Sequence, residues 1–226
     1  MDVDGVSILA RGIAAKGPEG VVFSNLDLQV SAGALAVVAG PGGSGRTSLL
    51  LALSGRLPLI TGYLDVSGYV LPESARVVRK LIRPARVRPG CELEPKHRVK
   101  EAIFERRLIS RVSAGAVEDA LDLVGLDPDR SALVGDLHPA DQLLLAVALT
   151  IAGGPAGILV DDVDVGLPLA AQSRVWSALH EVARTGTTVL ASAAEAPAGD
   201  VEIIPLPPRE RDWSTDVFDL LEEDAP

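Results

Sequence analysis

Cysteine is nearly absent from this chain of 226 residues: Cys91 is the single one, which excludes an internal disulfide and fits a reducing compartment. Its plainest reading is an unpaired thiol with no role. Aromatic residues are scarce as well, at 3% of the chain, so Ala, Val and Leu must fill the core. Long apolar runs are missing. The longest is Leu143 to Ala152, followed by Gly153-Gly154-Pro155, whereas a membrane-spanning helix needs about 20 apolar residues. The expectation is a soluble protein that meets a membrane only through a partner. Excess positive charge is missing too. The 21 Lys and Arg stand against 31 Asp and Glu, leaving a net charge of −10, which argues against a general nucleic-acid binder. Met1-Asp2-Val3-Asp4 is acidic, so no secretory leader is expected. What is present is a globular composition, 47% hydrophobic, long enough for one sizeable core or a core plus a small subdomain.

Against these absences stands one dense motif, Gly40-Pro41-Gly42-Gly43-Ser44-Gly45-Arg46-Thr47-Ser48. A phosphate-cradling loop has the pattern G-x-x-x-x-G-K-[ST], because backbone N–H groups must wrap the phosphates and deliver them to a helix N-terminus. Gly40 and Gly45 fit the glycine positions, Thr47 fits the Mg²⁺ hydroxyl, and Arg46 stands where lysine is expected. A guanidinium keeps the charge but is planar, bulkier and forked. The context supports the motif. Ala34–Ala39 reads as a buried strand, and Thr47 to Ser54 as a helix stopped by Gly55. The bland alternative is a glycine-rich turn that binds nothing.

Other segments read more coarsely. Val21–Phe23 and Leu26–Val30 look like strands of an antiparallel sheet, and Thr61 to Val70 like two short strands around glycines. Residues 76 to 98 are basic and broken by Pro84, Pro89 and Pro95. They read as a solvated linker face, with a basic partner patch as the alternative. Val99 to Arg111, Ala114 to Val124, Asp141 to Ala152 and Leu169 to Arg184 have helical spacing. Thr187 to Leu190 reads as a strand. So does Gly157–Val160, which ends in Asp161-Asp162. A carboxylate at the end of such a strand, downstream of a phosphate loop, suits Mg²⁺ (Asp161), and the next one suits water polarisation (Asp162). The alternative is a strand capped by solvated acids. His97 and His180 have no partner at metal-ligand spacing. His138 reads as a surface or capping residue, and Gln142 as a helix-face residue.

Over roughly residues 5 to 200 the chain resembles the nucleotide-binding subunit of ATP-binding cassette (ABC) transporters. The resemblance is carried by Gly40–Ser48, Gly55–Gly62, Gly68-Tyr69-Val70 and Ile158–Asp162. It implies an α/β P-loop NTPase fold: a RecA-like core, an antiparallel β-subdomain, and a helical subdomain at about residues 76–140, all within 1–204, before an acidic tail at 205–226. It implies ATP with Mg²⁺ held by Gly40, Gly42, Gly43, Ser44, Gly45, Arg46, Thr47 and Ser48, with Thr47 and Asp161 on the metal and Asp162 as the catalytic carboxylate. It also implies a permease partner, head-to-tail pairing of two cassettes, and a cytoplasmic place at the inner face of the plasma membrane.

The departures from the family pattern fall on catalytic positions. Pro72 stands where a glutamine is expected after Gly-Tyr-Val. Leu137-His138-Pro139-Ala140-Asp141 replaces the signature Leu-Ser-Gly-Gly-Gln. Asp162 replaces a glutamate, Pro168 an aspartate and Ala194 a histidine, and no aromatic near residues 12 to 18 can stack on adenine. Because each nucleotide in the family lies between one subunit's loop and the other's signature, such a chain would impair both shared sites. Three readings follow: a degenerate regulatory or scaffolding subunit with weak binding, an active ATPase with unorthodox residues, or an interaction module that binds no nucleotide. The tail, Arg209 to Pro226, spaces Trp213, Val217, Phe218, Leu220 and Leu221 among acids. It reads as a solvated or self-docked segment, or as a partner-binding amphipathic helix.

Overall fold

The structure is a computed structural model that describes residues 4–18 and 20–208. The expectation for the tail from Arg209 onward lies outside the described residues. Two sheets organise the fold. The antiparallel sheet runs β2-β1-β4-β5, from β1 (Ile8–Gly17), β2 (Gly20–Val30), β4 (Thr61–Val66) and β5 (Tyr69–Leu71). The parallel sheet runs β6-β7-β8-β3-β9, from β3 (Leu35–Ala39), β6 (Ile82–Arg86), β7 (Gly157–Val160), β8 (Thr188–Ala193) and β9 (Glu202–Pro205). The helices are α1 (Arg46–Leu53), α2 (Ala75–Leu81), α3 (Val99–Ser110), α4 (Ala114–Leu123), α5 (Pro139–Ile151) and α6 (Leu169–Arg184).

The parallel strands are apolar without interruption because both of their faces are covered. Their side chains alternate between two cores, as a period of two requires. Val37, Ile158, Val160, Val189 and Ala191 pack into the core shared with α4, α5 and α6. Ala36, Val38, Leu159 and Leu190 pack on the other side, with α1 and the antiparallel sheet. The apolar run Leu143 to Ala152 is explained in the same way. From Leu143 to Thr150 every residue of α5 is buried, so this is a central core helix. Among the described residues no helix is long and apolar enough to cross a membrane.

Two sequence readings change here. The basic stretch 76–98 is not a linker: it holds α2 and then β6, which pairs with β7 in the core sheet. The strand eluded periodicity because Arg83, Pro84 and Arg86 break its apolar pattern, and sheet pairing overrides that signal. Residues 82–86 therefore belong to the parallel sheet rather than to a helical insertion. The second change concerns Gly68-Tyr69-Val70, which forms the hairpin turn and edge strand of the antiparallel sheet. Pro72 follows that edge strand and does not leave a core strand. The residues that leave the core strand beside β7 are Val87-Arg88-Pro89, and they include no glutamine.

Within the antiparallel sheet the backbones of β4 and β1 approach closely at the register shift between Arg11 and Ala14. Gly62 has φ +97°, and a Cβ there would come within 2.5 Å of Gly12 O and Ile13 Cα. Gly62→Ala is expected to lower stability by about 2 kcal/mol or more, through left-handed strain and backbone displacement. Urea unfolding of the full chain measures it. Gly68→Ala, also at positive φ but facing open space, should lose only about 1 kcal/mol.

Candidate functional site

β3 delivers the loop of residues 40–45 to the N-terminus of α1, the strand–loop–helix order expected from the sequence. The glycines of the loop have different reasons. A Cβ on Gly40 would come within 2.4 Å of Leu206 O, and one on Gly45 (φ +95°) within 2.5 Å of Val22 Cγ1. Packing of the fold alone excludes a side chain at both. Gly43 needs φ +79°, but its Cβ position is open. Gly42 has neither constraint: its φ is ordinary and nothing lies within 4 Å of a Cβ there. It is the loop glycine that the described fold does not itself require.

The N-terminus of α1 is open. It has no side-chain cap and no acid in its first turn, and the first backbone bond into the helix runs from Leu49 N to Gly45 O, 2.9 Å. The N–H groups before Leu49 are the unsatisfied donors of a helix start, with the positive end of its dipole. Ser44 is buried, and its Oγ has no partner among the described residues. An orphaned buried hydroxyl and an uncapped helix start together suit an anionic ligand.

Beyond the loop, β7 ends in Asp161 and Asp162, as the sequence predicted. Asp161 is buried, and both of its oxygens are engaged. Oδ2 accepts from Thr47 Oγ1 at 2.8 Å and Oδ1 from Ser192 Oγ at 2.5 Å. The tertiary structure thus joins Thr47 and Asp161, the two residues assigned to Mg²⁺. Ser192, on β8 between β7 and β3, was missed from sequence because it reads as one more small residue of a buried strand. Its Oγ also accepts Asp162 N at 2.8 Å. Asp162 has left-handed φ +50°, a conformation that Asp adopts more readily than most residues.

Three arginines shape the rest. Arg46 Nη1 donates to Gly40 O, and Nη2 pairs with Asp162 Oδ1 at 2.7 Å. Bulkier and forked as it is, the guanidinium lies along the loop, held at both ends, with only 11% of its side chain exposed. Arg86, missed because it sat in an apparent linker, is buried and donates Nη2 to Asp161 O (2.8 Å) and Asp162 O (2.6 Å). Burial lowers its pKa, as does neighbouring Arg88, while Asp162 and Asp161 oppose the shift. Arg88 itself pairs with Glu92 at 2.7 Å.

The signature-like segment lies at the N-terminus of α5, which is closed. His138 Nδ1 accepts Ala140 N at 3.2 Å, and His138 O accepts Asp141 N at 2.8 Å and Gln142 N at 3.0 Å. Pro139 has no N–H to offer. Gln142 Nε2 turns back to Leu137 O at 2.9 Å, and Asp141 pairs with Arg174 at 2.6 Å. His138 is therefore a cap. Pro168 is the N-cap of α6, and Ala194 N donates to Asp164 Oδ2 at 2.7 Å. In β1, Ile13, Ala14 and Ala15 are buried and Lys16 alone of that group is exposed. Burial pushes the Cys91 thiol pKa up, so the thiol is protonated at neutral pH. Among the described residues no cluster of His, Cys, Asp and Glu has metal-holding geometry by itself.

Ser192→Ala would leave both Asp161 Oδ1 and Asp162 N without their partner. It is expected to lower stability by about 2 kcal/mol, measured by urea unfolding. Thr47→Val, which removes one partly buried bond, should cost about 1 kcal/mol.

Comparison with known proteins accords with this geometry. The profile of the ABC transporter family matches residues 23–164, more than half of the chain. The Nod factor export ATP-binding protein I of Cupriavidus pinatubonensis is 32% identical over 174 residues, covering 75% of this chain and 53% of that protein. The chain spans about half the length of the first curated relatives it matches. Among solved structures, cbiO1 of Clostridium perfringens, part of the ABC transporter complex cbiONQ, superposes with a TM-score of 0.73 at 15% identity, over 83% of this chain and 78% of that one. The dimeric MJ0796, a bacterial ABC transporter cassette, gives 0.71 at 18% identity, over 88% and 94%. At such identities these two establish the fold. Sequence profile, strand order and loop placement agree, and the chain belongs to the ABC transporter family.

Proposed function

We propose that this chain is a degenerate ATP-binding subunit of a membrane transport complex, one that binds Mg-ATP weakly and hydrolyses it slowly or not at all. One observation carries the reading: the contrast between an open α1 N-terminus and a closed α5 N-terminus. Gly42, Gly43, Ser44 and Gly45, with the first turn of α1, offer a phosphate cradle between Gly40 and Ser48. Thr47 and Asp161 would hold Mg²⁺, which when bound supplies charge neutralisation to the phosphates. The first-turn N–H groups of α5 are already spent on His138, and Asp141 adds negative charge there. A signature of this kind has no first-turn backbone N–H left for a phosphate presented by a second cassette. Asp162 is one methylene shorter than the family's glutamate, and a withdrawal of roughly 1 Å can lower a rate about 10²-fold.

In this reading the cassette runs past the expected boundary at 204, since β9 ends at Pro205 and Leu206 is buried in the core; its helical subdomain follows β6, and two cassettes pair head to tail, as homo- or heterodimer, on a permease. The place of action is the cytoplasmic face of the membrane. The dimer of MJ0796 and the cbiONQ complex are the precedents for such assembly. A second reading, an interaction module without nucleotide, has one specific observation in its favour, the Arg46 guanidinium lying within the loop.

The test uses the fold-neutral glycine. Gly42→Ala should leave ligand-free stability within about 0.5 kcal/mol of the parent. The parent should gain about 1.4 kcal/mol from Mg-ATP at ten times its Kd, and the variant should gain nothing at that concentration. Thermal unfolding of the full chain measures both. Absence of any gain in the parent at millimolar Mg-ATP favours the interaction module. Turnover of about 1 s⁻¹ or faster that is abolished by Asp162→Asn overturns the inactive half of the reading.

A further inference from the structure

Arg46 and Asp162 are each unusual for the positions they hold, and they are bonded to each other. The guanidinium has its two terminal nitrogens committed, one to Gly40 O within the loop and one to Asp162 Oδ1 at 2.7 Å. Both side chains are partly buried, at 11% and 26% exposure, so water screens the pair less than a surface bridge. The backbone holds Asp162 in place independently of Arg46. Its N–H is fixed to Ser192 Oγ, its carbonyl to Arg86, and its φ to the left-handed region. The Asp162 backbone is thus fixed without Arg46, and the arginine, with its longer side chain, is the member with the greater reach for exchange. A lysine ammonium carries its three donors on one nitrogen, so it would need both oxygens to converge on a single point, whereas the guanidinium reaches them with separate nitrogens.

We propose that this ion pair is an exchange latch selective for nucleoside triphosphates; the proposal rests on the nucleotide-binding reading above. In the ligand-free protein Arg46 closes the loop onto Asp162. The terminal phosphate of a triphosphate takes over the guanidinium nitrogen that Asp162 holds. Asp162 is released only then, and triphosphate binding is weakened by the pair it must open. A diphosphate, which lacks that terminal group, leaves the pair closed and is insensitive to it. Arg46 is in this sense a specificity-determining residue, and Asp162 is its competitor in the empty state.

The experiment is a double-mutant cycle on the full chain, with Arg46→Gln, Asp162→Asn and their combination. Asparagine adopts left-handed φ readily, so Asp162→Asn keeps the backbone. Equilibrium binding is measured with Mg²⁺ plus a non-hydrolysable ATP analogue, and separately with Mg-ADP. Asp162→Asn is expected to tighten the triphosphate analogue about tenfold, the scale of a charged hydrogen bond, and to leave ADP unchanged. In the Arg46→Gln background the same substitution should change neither ligand. The proposal is overturned if Asp162→Asn tightens both ligands equally, or if the gain persists without Arg46, since either result is plain relief of charge repulsion. The same four proteins are unfolded in urea without ligand. Coupling there between the two substitutions, together with no nucleotide binding by any of the four, sinks the nucleotide reading and the exchange while leaving the pair as a structural tie. Absence of coupling overturns the pair itself. If Arg46→Gln fails to fold, Arg46→Lys serves, and it should retain nucleotide binding but weaken the dependence on Asp162.

Discussion

The loop end of this molecule depends on one requirement: the polar groups where β7 runs out must all be satisfied in a nearly dry place. Asp161 is 1% exposed, and an unpaired carboxylate at such depth would be strongly unfavourable. Ser192 and Thr47 bond its two oxygens, and Arg86 bonds the carbonyls of both Asp161 and Asp162. Through these contacts β6, β7, β8 and α1 are locked to one another at a single point. The phosphate loop is placed by that lock as much as by its own glycines, because Thr47 and Arg46 reach across to the two acids. A buried network of this kind rigidifies only when every member is paired, and here the chain's own side chains complete most of it.

The two helix starts show the same chemistry used in opposite ways. At α1 the donors stay open, an unpartnered Ser44 hydroxyl lies beside them, and no acid intrudes. At α5 the first-turn N–H groups are taken by His138, Pro139 has none, and Asp141 is paired with Arg174. The capping of a helix terminus can therefore change without a change of fold. α5 remains buried along its length, and its packing against β6 and α6 is indifferent to what caps it.

Much was legible in the sequence. Strand β3, the loop and α1 could be placed to within a residue or two, because glycine spacing and a short apolar run are local signals. The strand ending in Asp161-Asp162 and the helices α3 to α6 were legible for similar reasons. β6 was not. Arg83, Pro84 and Arg86 make it look like a solvated stretch, and only pairing with β7 reveals it. Reading Gly68-Tyr69-Val70 as the block before the expected glutamine erred for a related reason: two short strands near glycines look alike whether they belong to a hairpin or to a core sheet. Ser192 was silent because nothing local separates a network serine from a core one. A second reason for Gly40 and Gly45 was also not legible: beside any role at phosphate, Leu206 and Val22 leave no room for a Cβ where the backbone now lies.

The sequence by itself pointed to the family, the loop, the candidate metal pair Thr47 and Asp161, and the replaced positions other than the one misplaced at Pro72, since each is written in residue identity and short spacing. Only the tertiary structure decided what those replacements do. Arg46 meets Asp162 across 116 positions of chain, and Ser192 meets Asp161 across 31. His138 acts as a cap only because the backbone ahead of α5 turns its ring onto Ala140 N. Ion pairs and buried hydrogen bonds depend on distance in space and on the exclusion of water, and a linear order of residues specifies neither until the sheet has formed.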